Sequence, residues 1–500
     1  MSQRSRGAAA AGYARPGSRA PEPVIAAALV ALMGAGSLVA AAGWSAGHAV
    51  QAALGAGSAA LSLLLLIGTG WISLPVVVAI SVPLPALYSS DALRIASAAP
   101  ITAIVVAGWI LGITVSDRRV RTGWLPVAAT LSLAGSFLLA TLFARHAVVS
   151  LRELANFGLL LLLLVAATDA FARDAGAWPR TVRLLVVLAA VCGVLAVLEM
   201  SGVIPGEFPR SDSALHRAAL GFGQPNSLGL FFAIVVPFGV HALRTAKAGV
   251  SRLGAAVALA CIIAGLIATF SRGSWLSVLA GSAVLLLAGE PRFALRVWLG
   301  TLIVAVVVDS ASGGILRDTV ARTIGDWTIE QRFALMAAGV LMFMAYPLTG
   351  TGPGGYAESL GEFGPLIPQL WDYLPTPHNA FIQLAAETGV IGLIAFLAFL
   401  FAILRGQFRR SRAHGAPVRG ARREAAAEAP SLARATLWSI AALCAACMVA
   451  WPFSHGTGQA MMLVLAGAFA TGTAEQVSLR RSRDDAPADT GGPATPGARI

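Results

Sequence analysis

The feature that most limits what this chain can fold into is a series of apolar runs, each about 20 residues long. A helix of that length crosses the roughly 30 Å hydrocarbon core of a bilayer. Hydrophobic residues make up 57% of the 500 residues and charged residues only 12%, about half the charged share of an ordinary soluble domain. The sequence therefore predicts an all-α, polytopic transmembrane helical bundle of about 12–14 spans. The candidate runs are 24–43, 48–68, 71–89, 93–115, 123–144, 151–172, 181–200, 226–243, 253–270, 274–289, 294–312, 379–404, 432–452 and 457–474.

The distribution of basic residues predicts the orientation of these spans. If the N-terminus is cytoplasmic, 27 of the 36 Lys and Arg residues lie in cytoplasmic segments and nine lie outside. Cytoplasmic loops of membrane proteins carry this excess of positive charge. The formal net charge of +12 is therefore a topology signal, and we expect no nucleic-acid partner. Both termini are predicted to be cytoplasmic.

The same topology divides the chain into five segments. Residues 1–23 and 475–500 are polar cytoplasmic tails, and the first is expected to be disordered. Residues 24–312 and 378–474 hold the predicted transmembrane helices. Residues 313–377 form one long extracytoplasmic loop, in which a half-apolar stretch predicts an amphipathic or re-entrant helix. Loops of this length are often functional, so we expect reactive groups near it.

The end of this loop carries the candidate catalytic residue, His378. Thr376 is suited to cap a helix whose first residue is Pro377, which predicts that His378 lies in the first turn at the outer membrane face. An imidazole with a near-neutral pKa suits a general base. His455, in another outer turn, is a weaker alternative.

A polar stripe follows this histidine along the same predicted span. Asn379, Gln383 and Glu387 recur every four residues, which puts them on one face of a helix. Such a stripe is typical either of helix packing or of the wall of a water-filled cavity. Because a histidine, a carboxylate and a positive helix end come together here, we favour the cavity.

Two outer arginines are candidates for binding an anion. Arg272 lies in "FSRGSW", between two spans with almost no loop, and Arg332 begins the half-apolar stretch of the long loop. The guanidinium group is a rigid fork of donors that matches phosphate. The alternatives are that Arg272 is a snorkelling anchor and that Arg332 is a solvated loop residue. Arg217 precedes a glycine-rich turn and Asn226 begins a span, a pattern that by itself predicts only a helix start.

Nothing in the sequence indicates a metal or nucleotide cofactor. The segment "GTGPGGY" lacks the Gly-Lys-Ser/Thr that completes a phosphate-binding P-loop. The His, Cys and Asp residues do not have the spacing of a metal site. We therefore expect no cofactor and no metal.

Four segments in order carry a resemblance: "GFGQPNSLGLFF", "FSRGSWLSVLAG", "RFALMAAGVLMFMAYPLTGTGPGGY" and "HNAFIQLAAETGVIGLIAFL". Together they resemble the bacterial O-antigen ligase / O-antigen polymerase family of polytopic glycosyltransferases, over about residues 215–400. The resemblance implies that His378 corresponds to the family's essential histidine. It also implies that Arg272 and Arg332 correspond to its diphosphate-binding arginines. One departure is that the tryptophan often found soon after the loop arginine is absent from residues 333–336.

The resemblance also implies a reaction and its partners. Such enzymes take a glycan from a polyprenyl diphosphate at the outer leaflet and transfer it to an acceptor hydroxyl, without a nucleotide sugar or a metal. The implied partners are a polyprenyl-diphosphate-linked glycan donor, a glycan or lipid-glycan acceptor and membrane lipids, in the bacterial plasma membrane. An inverting transfer of this kind needs a base for the hydroxyl and cations for the departing diphosphate.

Two other classes of function remain open at this point. A lipid or polysaccharide transporter (flippase) of the cell envelope would also suit fourteen spans, and it predicts paired repeats with helices broken near the midplane. A structural protein of cell-wall assembly is a further alternative, which leaves the outer arginines and His378 unexplained. The observation that discriminates is whether single substitutions of these residues abolish glycan product while the protein level is kept.

The charge distribution generates a test of topology. Cysteines introduced near Ser359 should react with a membrane-impermeant thiol label in whole cells, because the long loop is predicted to be outside. Cysteines near Ala416 should react only after the membrane is opened. The reverse labelling pattern would contradict the orientation on which every outer-face assignment depends.

Overall fold

A computed structural model of the chain describes residues 33, 49–68, 72–82, 91–116, 118–206, 208, 215–311, 313–314, 317, 327–363, 376–412, 423–453 and 457–470. These ranges are helices joined by turns, with no β-strand among them. The helices are α1 (Ala49–Gly68), α2 (Leu74–Ser81), α3 (Asp91–Val115), α4 (Trp124–Leu142), α5 (Ala147–Arg173), α6 (Ala177–Met200), α7 (Pro225–Thr245), α8 (Val250–Ala268), α9 (Arg272–Ser282), α10 (Val284–Leu287), α11 (Pro291–Ala311), α12 (Trp327–Ala345), α13 (Gly355–Phe363), α14 (Ala380–Arg412), α15 (Arg423–Cys447) and α16 (Thr457–Ala470).

Seven of the described helices are long and apolar enough to cross a membrane, which agrees with the predicted all-α polytopic bundle. They are α4, α5, α6, α7, α8, α14 and α15. Shorter apolar helices occur at Ala59–Gly68, Pro100–Val115, Arg272–Leu287 and Thr457–Ala470. Every backbone N–H and C=O within a helix is paired internally, which is why such runs are stable in lipid.

Several predicted runs differ from the helices observed. Run 274–289 is divided between α9 and α10, because the helix ends at Ser282 and restarts at Val284. Within run 71–89 the described helix covers only Leu74–Ser81, and prolines at positions 83 and 85 follow it. Run 24–43 lies outside the described residues except for residue 33.

The described helices belong to two compact units. The smaller comprises residues 1–73 and 104–120, and the larger residues 74–103 and 121–500. In the smaller unit a Cβ added at Gly108 would lie 2.9 Å from the Cβ of Ile67, so glycine allows α1 and the later part of α3 to approach closely.

Helix α7 lies at the centre of the larger unit. It is buried over 72% of its apolar window, whereas α8 is buried over only 17% and leaves most of its surface for lipid. Helices α6 and α8 touch through glycine, since a Cβ added at Gly193 would lie 2.1 Å from the carbonyl oxygen of Cys261. The indole N–H of Trp438 on α15 donates to the carbonyl of Val278 on α9 at 2.9 Å. These contacts fix the helices around α7.

The half-apolar stretch of the long loop forms α12, which continues through a glycine-rich turn into α13. We call residues 349–354 the glycine turn. On one side α12 packs through Leu335, Ala338 and Met342 against Tyr356 and Leu360 of α13. Ser359 itself is fully buried, so an accessible label in this loop requires an exposed neighbour.

Helix α14 is interrupted at Gly389, whose φ of 64° and ψ of −166° are not helical. In a regular helix the N–H of Val390 would bond to the carbonyl of Ala386. Here Val390 donates instead to the carbonyl of Pro347 at 2.8 Å, and the carbonyl of Ala386 accepts from the N–H of Thr351 at 2.9 Å. The groups released by the break are therefore satisfied by the glycine turn and the residues before it, as buried backbone requires.

This break generates a test of the fold. Gly389→Ala should lower the free energy of unfolding by about 2–5 kcal/mol, because the new Cβ is strained at positive φ and overpacks its surroundings. That Cβ would lie 2.2 Å from the carbonyl carbon and oxygen of Leu348. The matched control is Gly361→Ala, at an exposed helical position where nothing lies within 4 Å of the added atom.

The measurement is the apparent melting temperature of the purified protein in detergent, together with its folded yield. We expect both the melting temperature and the folded yield to fall in Gly389→Ala. Gly361→Ala should match or exceed the parent protein in both, since alanine favours a helix over glycine. Equal melting temperatures for the two variants would show that the break at Gly389 is not required.

Candidate functional site

Three helices of the larger unit each begin within five residues after a residue whose backbone conformation is unfavourable for its type. Within the described ranges, three non-glycine residues have a left-handed conformation: Leu220 (φ 44°), Phe270 (φ 49°) and His378 (φ 49°). Helices α7, α9 and α14 begin two to five residues later. Each such conformation costs about 1–3 kcal/mol of folding free energy, which contacts with the surrounding structure must offset. Strain of this kind is typical of functional sites.

The first turns of α7 and α9 border one cleft. It is lined by Asn226, Leu230, Ser271, Gly273, Ser274, Arg332, Ala446, Val449 and Ala450. These residues come from the starts of α7 and α9, from α12, and from the end of α15 with the segment that follows it. The cleft therefore combines a guanidinium group with the positive ends of two helix dipoles, which is an anion-binding arrangement.

Helix α14 begins beside this cleft, at Ala380 and not at Pro377 as the sequence predicted. Asn379 caps the helix, because its Oδ1 accepts hydrogen bonds from the N–H groups of Phe381 at 3.0 Å and Ile382 at 3.1 Å. Asparagine is a stronger N-cap than threonine, which explains the later start. The Nδ2 of Asn379 donates to the carbonyl of Met448 at 3.2 Å, one residue before Val449 of the cleft.

His378 is half-buried immediately before this helix start. The sequence predicted a near-neutral pKa for a base at His378, but burial, and then the charge of Arg332, lowers the pKa of His378 to about 4. The imidazole is therefore neutral at physiological pH, and it lies close enough to Arg332 to experience its charge. A neutral imidazole can accept a proton, and the guanidinium group can hold an anion next to it.

The remaining arginine candidates lie at the two other helix starts. The Nη2 of Arg217 donates to Oδ1 of Asn226 at 3.2 Å, and its Nε donates to the carbonyl of Thr269 at 3.2 Å. Arg272 is the first residue of α9, between Ser271 and Gly273 of the cleft. The structure thus brings Arg217, Asn226 and the turn of Arg272 to the same region as Arg332.

The lower part of the polar stripe has a different environment. Oε1 of Glu387 accepts a hydrogen bond from Nε2 of Gln383 at 3.1 Å, and Oε2 accepts from the N–H of Gly354 at 3.0 Å. Both side chains are buried and are not among the residues lining the cleft. They hold the glycine turn against α14, and through it α12, which carries Arg332.

Some residues near the site were not identified from the sequence. Ser271 and Ser274 line the cleft and share a hydrogen bond of 2.9 Å between their hydroxyl oxygens. Glu199, at the end of α6, is buried and bonds to the segment that carries Arg217. A carboxylate at the end of an otherwise apolar run was the signal that would have found it. His455 lies outside the described residues.

Metal-ligand clusters are not found in the described part of the chain, where no group of three or more His, Cys, Asp or Glu side chains could hold an ion. The positive charge available at the cleft comes from arginine side chains and helix N-termini. These groups hold a phosphate by hydrogen bonds as well as by charge.

Part of the chain matches a known protein family. Residues 257–397 match the family described as O-antigen ligase, which supports the assignment that the sequence motifs suggested. The matched segment contains Arg272, Arg332, His378 and the glycine turn, whereas Arg217 and Asn226 precede it. No curated protein matches the chain. Members of this family are membrane proteins that act on lipid-linked glycans.

The electrostatics of His378 generate a test. If this residue is the base, kcat/KM for glycosyl transfer should fall on the acid side near pH 4, because kcat/KM reports the pKa of the free enzyme. Arg332→Gln removes a charge that lowers this pKa, so the acid limb should move to higher pH. The matched control is Arg152→Gln, at an exposed arginine of α5.

The pH profile of each variant is measured with purified protein and normalised to its own maximum. An acid limb that stays in place in Arg332→Gln, or that moves equally in Arg152→Gln, would contradict the pairing of His378 with Arg332.

Proposed function

We propose that this chain, which carries an O-antigen ligase domain at residues 257–397, transfers or polymerises a polyprenyl-diphosphate-linked glycan. The acceptor is a hydroxyl of a glycan or lipid-glycan at the outer face of the bacterial plasma membrane. The transfer is inverting and independent of metal, and both termini of the chain are cytoplasmic.

The observation that carries the proposal is the meeting of a neutral histidine with a cationic cleft. Arg332 lines the cleft, and its charge lowers the pKa of His378. The candidate base and the candidate anion site therefore both lie next to Arg332. The donor of such a reaction has a diphosphate next to the carbon that is attacked. A diphosphate bound by Arg332 would therefore present its sugar close to His378.

His378 acts as the general base in this scheme. Its neutral imidazole takes the proton from the acceptor hydroxyl while the hydroxyl oxygen bonds to the anomeric carbon of the donor sugar. The bond between that carbon and the phosphate oxygen breaks on the opposite side, which inverts the configuration. The product is a new glycosidic bond, a polyprenyl diphosphate and a protonated histidine, which returns its proton to solvent.

Arg272 and Arg332 stabilise the leaving diphosphate. Negative charge grows on the phosphate oxygen as the bond breaks, and donors already aimed at that position stabilise the transition state without reorganising. The helix starts of α7 and α9 add N–H groups of the same polarity. Guanidinium groups and helix ends thus take the role that a divalent cation has in other phosphate chemistry.

The supporting residues hold these groups in position. Asn226 and Arg217 join the start of α7 to the end of α8, and Asn379 fixes the start of α14 to the end of α15. Gln383 and Glu387 act one to two turns further along α14, where they hold the glycine turn.

Glycolipid transport is the second candidate, and the break in α14 at Gly389 is the observation that favours it. Broken helices in transporters expose backbone groups to a substrate or ion. Here the groups released at Ala386 and Val390 bond to residues 347–351 instead. A transporter would move the donor across a vesicle membrane in the absence of acceptor and would form no new glycosidic bond.

The experiment that tests the function is transfer by the purified protein from a polyprenyl-diphosphate glycan to an acceptor, with EDTA present. Parent protein should form product. His378→Gln should lose about 10²–10⁴-fold in rate, because it keeps a similar shape without the basicity. Near-normal product from this variant would exclude His378 as the base, and activity that vanished with EDTA and returned with magnesium or manganese would contradict a metal-free transfer.

The arginines generate a second prediction about the leaving group. Arg272→Lys and Arg332→Lys should each lower kcat/KM roughly 10- to 100-fold, because a lysine keeps the charge but loses the paired donors. The fold-loss of kcat/KM in the double variant should be smaller than the product of the two single fold-losses, since both residues act on one diphosphate. Arg152→Lys is the control.

The measurement is kcat/KM for each variant at a fixed protein level in the membrane. Full activity in both single lysine variants would show that the two arginines are membrane anchors without a role in transfer.

A further inference from the structure

A buried carboxylate, Glu199, lies behind the site without touching the cleft. It is the second-last residue of α6 and only 4% of its surface is exposed. A carboxylate buried at the end of a membrane span is costly unless other groups satisfy it. Such a group is retained where its hydrogen bonds are needed.

Two hydrogen bonds join Glu199 to the segment before α7. Its Oε2 accepts from the N–H of Ala219 at 3.1 Å and from the N–H of Leu220 at 2.9 Å. Leu220 is one of the three left-handed non-glycine residues and is 5% exposed. Two hydrogen bonds from adjacent amides to one side-chain oxygen stabilise a backbone conformation that leucine otherwise avoids.

This segment is also bonded to the neighbouring helix end. The N–H of Ala218 donates to the carbonyl of Ala268, the last residue of α8, at 3.0 Å. The Arg217 side chain then joins Thr269 to Asn226, which lines the cleft. The chain of contacts therefore runs from Glu199 through the left-handed turn and Arg217 to the cleft.

We propose that Glu199 is a positioning residue for glycosyl transfer: its carboxylate fixes the turn at residues 218–220, so that Arg217 holds Asn226 and the first turn of α7 at the cleft. This inference rests on the proposed function. Glu199 contacts neither donor nor acceptor in this scheme. Its effect is on the placement of the donors that meet the leaving diphosphate.

Two substitutions test whether Glu199 acts by accepting hydrogen bonds or through its charge or size. Glu199→Gln keeps an oxygen that accepts from the two amides, whereas Glu199→Met keeps a similar length and removes the acceptor. The matched controls are Glu358→Gln and Glu358→Met, because Glu358 is an exposed carboxylate of α13. Each variant is purified in lipid nanodiscs and its kcat and KM for the donor are measured, together with hydrogen exchange of the peptide that covers residues 215–224.

Glu199→Met should lose kcat by on the order of 10²-fold, as expected for displaced groups outside the reacting centre, while the donor KM changes less. Hydrogen exchange at residues 215–224 should rise in the same variant. Glu199→Gln should stay within about tenfold of the parent in kcat, with exchange close to the parent. Both Glu358 variants should match the parent in every measurement.

Parent-like transfer by Glu199→Met would overturn the proposal, as would raised exchange without a loss of kcat. Equal inactivity of both Glu199 variants with unchanged exchange would also overturn it, because the carboxylate would then act directly. If Glu199→Met does not fold, Glu199→Asp takes its place, because the shorter side chain withdraws the acceptor oxygen from the two amides. A loss of kcat together with raised exchange at residues 215–224 is then expected, and parent-like kcat, or a loss of kcat with unchanged exchange, contradicts positioning. A parent protein that forms no product would overturn the proposed function, whereas the exchange data would still test the contacts of Glu199.

Discussion

The left-handed turns before α7, α9 and α14 are the constraint on which the cleft depends. Each precedes a helix start, and the first turns of α7 and α9 line the cleft, while α14 begins beside it. Leu220, Phe270 and His378 adopt this conformation without being glycine, at a cost of about 1–3 kcal/mol each. Contacts made elsewhere must offset that cost, and Glu199 provides them for Leu220.

A second set of contacts holds α12, the helix that carries Arg332. Helix α12 leads into the glycine turn, and the break at Gly389 gives that turn its hydrogen-bond partners. The Glu387 side chain adds a bond to Gly354. Gln383 and Glu387, which the sequence suggested as part of a cavity wall, are therefore buried away from the residues that line the cleft, and Glu387 contacts the glycine turn instead.

The sequence was informative where a residue's type and its place along the chain carry the chemistry. These features made Arg272, Arg332 and His378 candidates, and the structure places all three at or beside helix starts in one region. Helix boundaries were less predictable, since α14 is capped by Asn379 and not by Thr376. Glu199 was missed, because its partners lie about 20 residues away in the chain and only the fold brings them together.

The most direct test of the central claim is a structure of the protein in a lipid nanodisc with its polyprenyl-diphosphate glycan donor bound and no acceptor present. Both phosphates should lie in the cleft, within hydrogen-bond distance of the guanidinium groups of Arg272 and Arg332. The anomeric carbon of the first sugar should lie on the side of His378, with room for an acceptor hydroxyl between them. A diphosphate bound away from this cleft, or a sugar directed away from His378, would contradict the account.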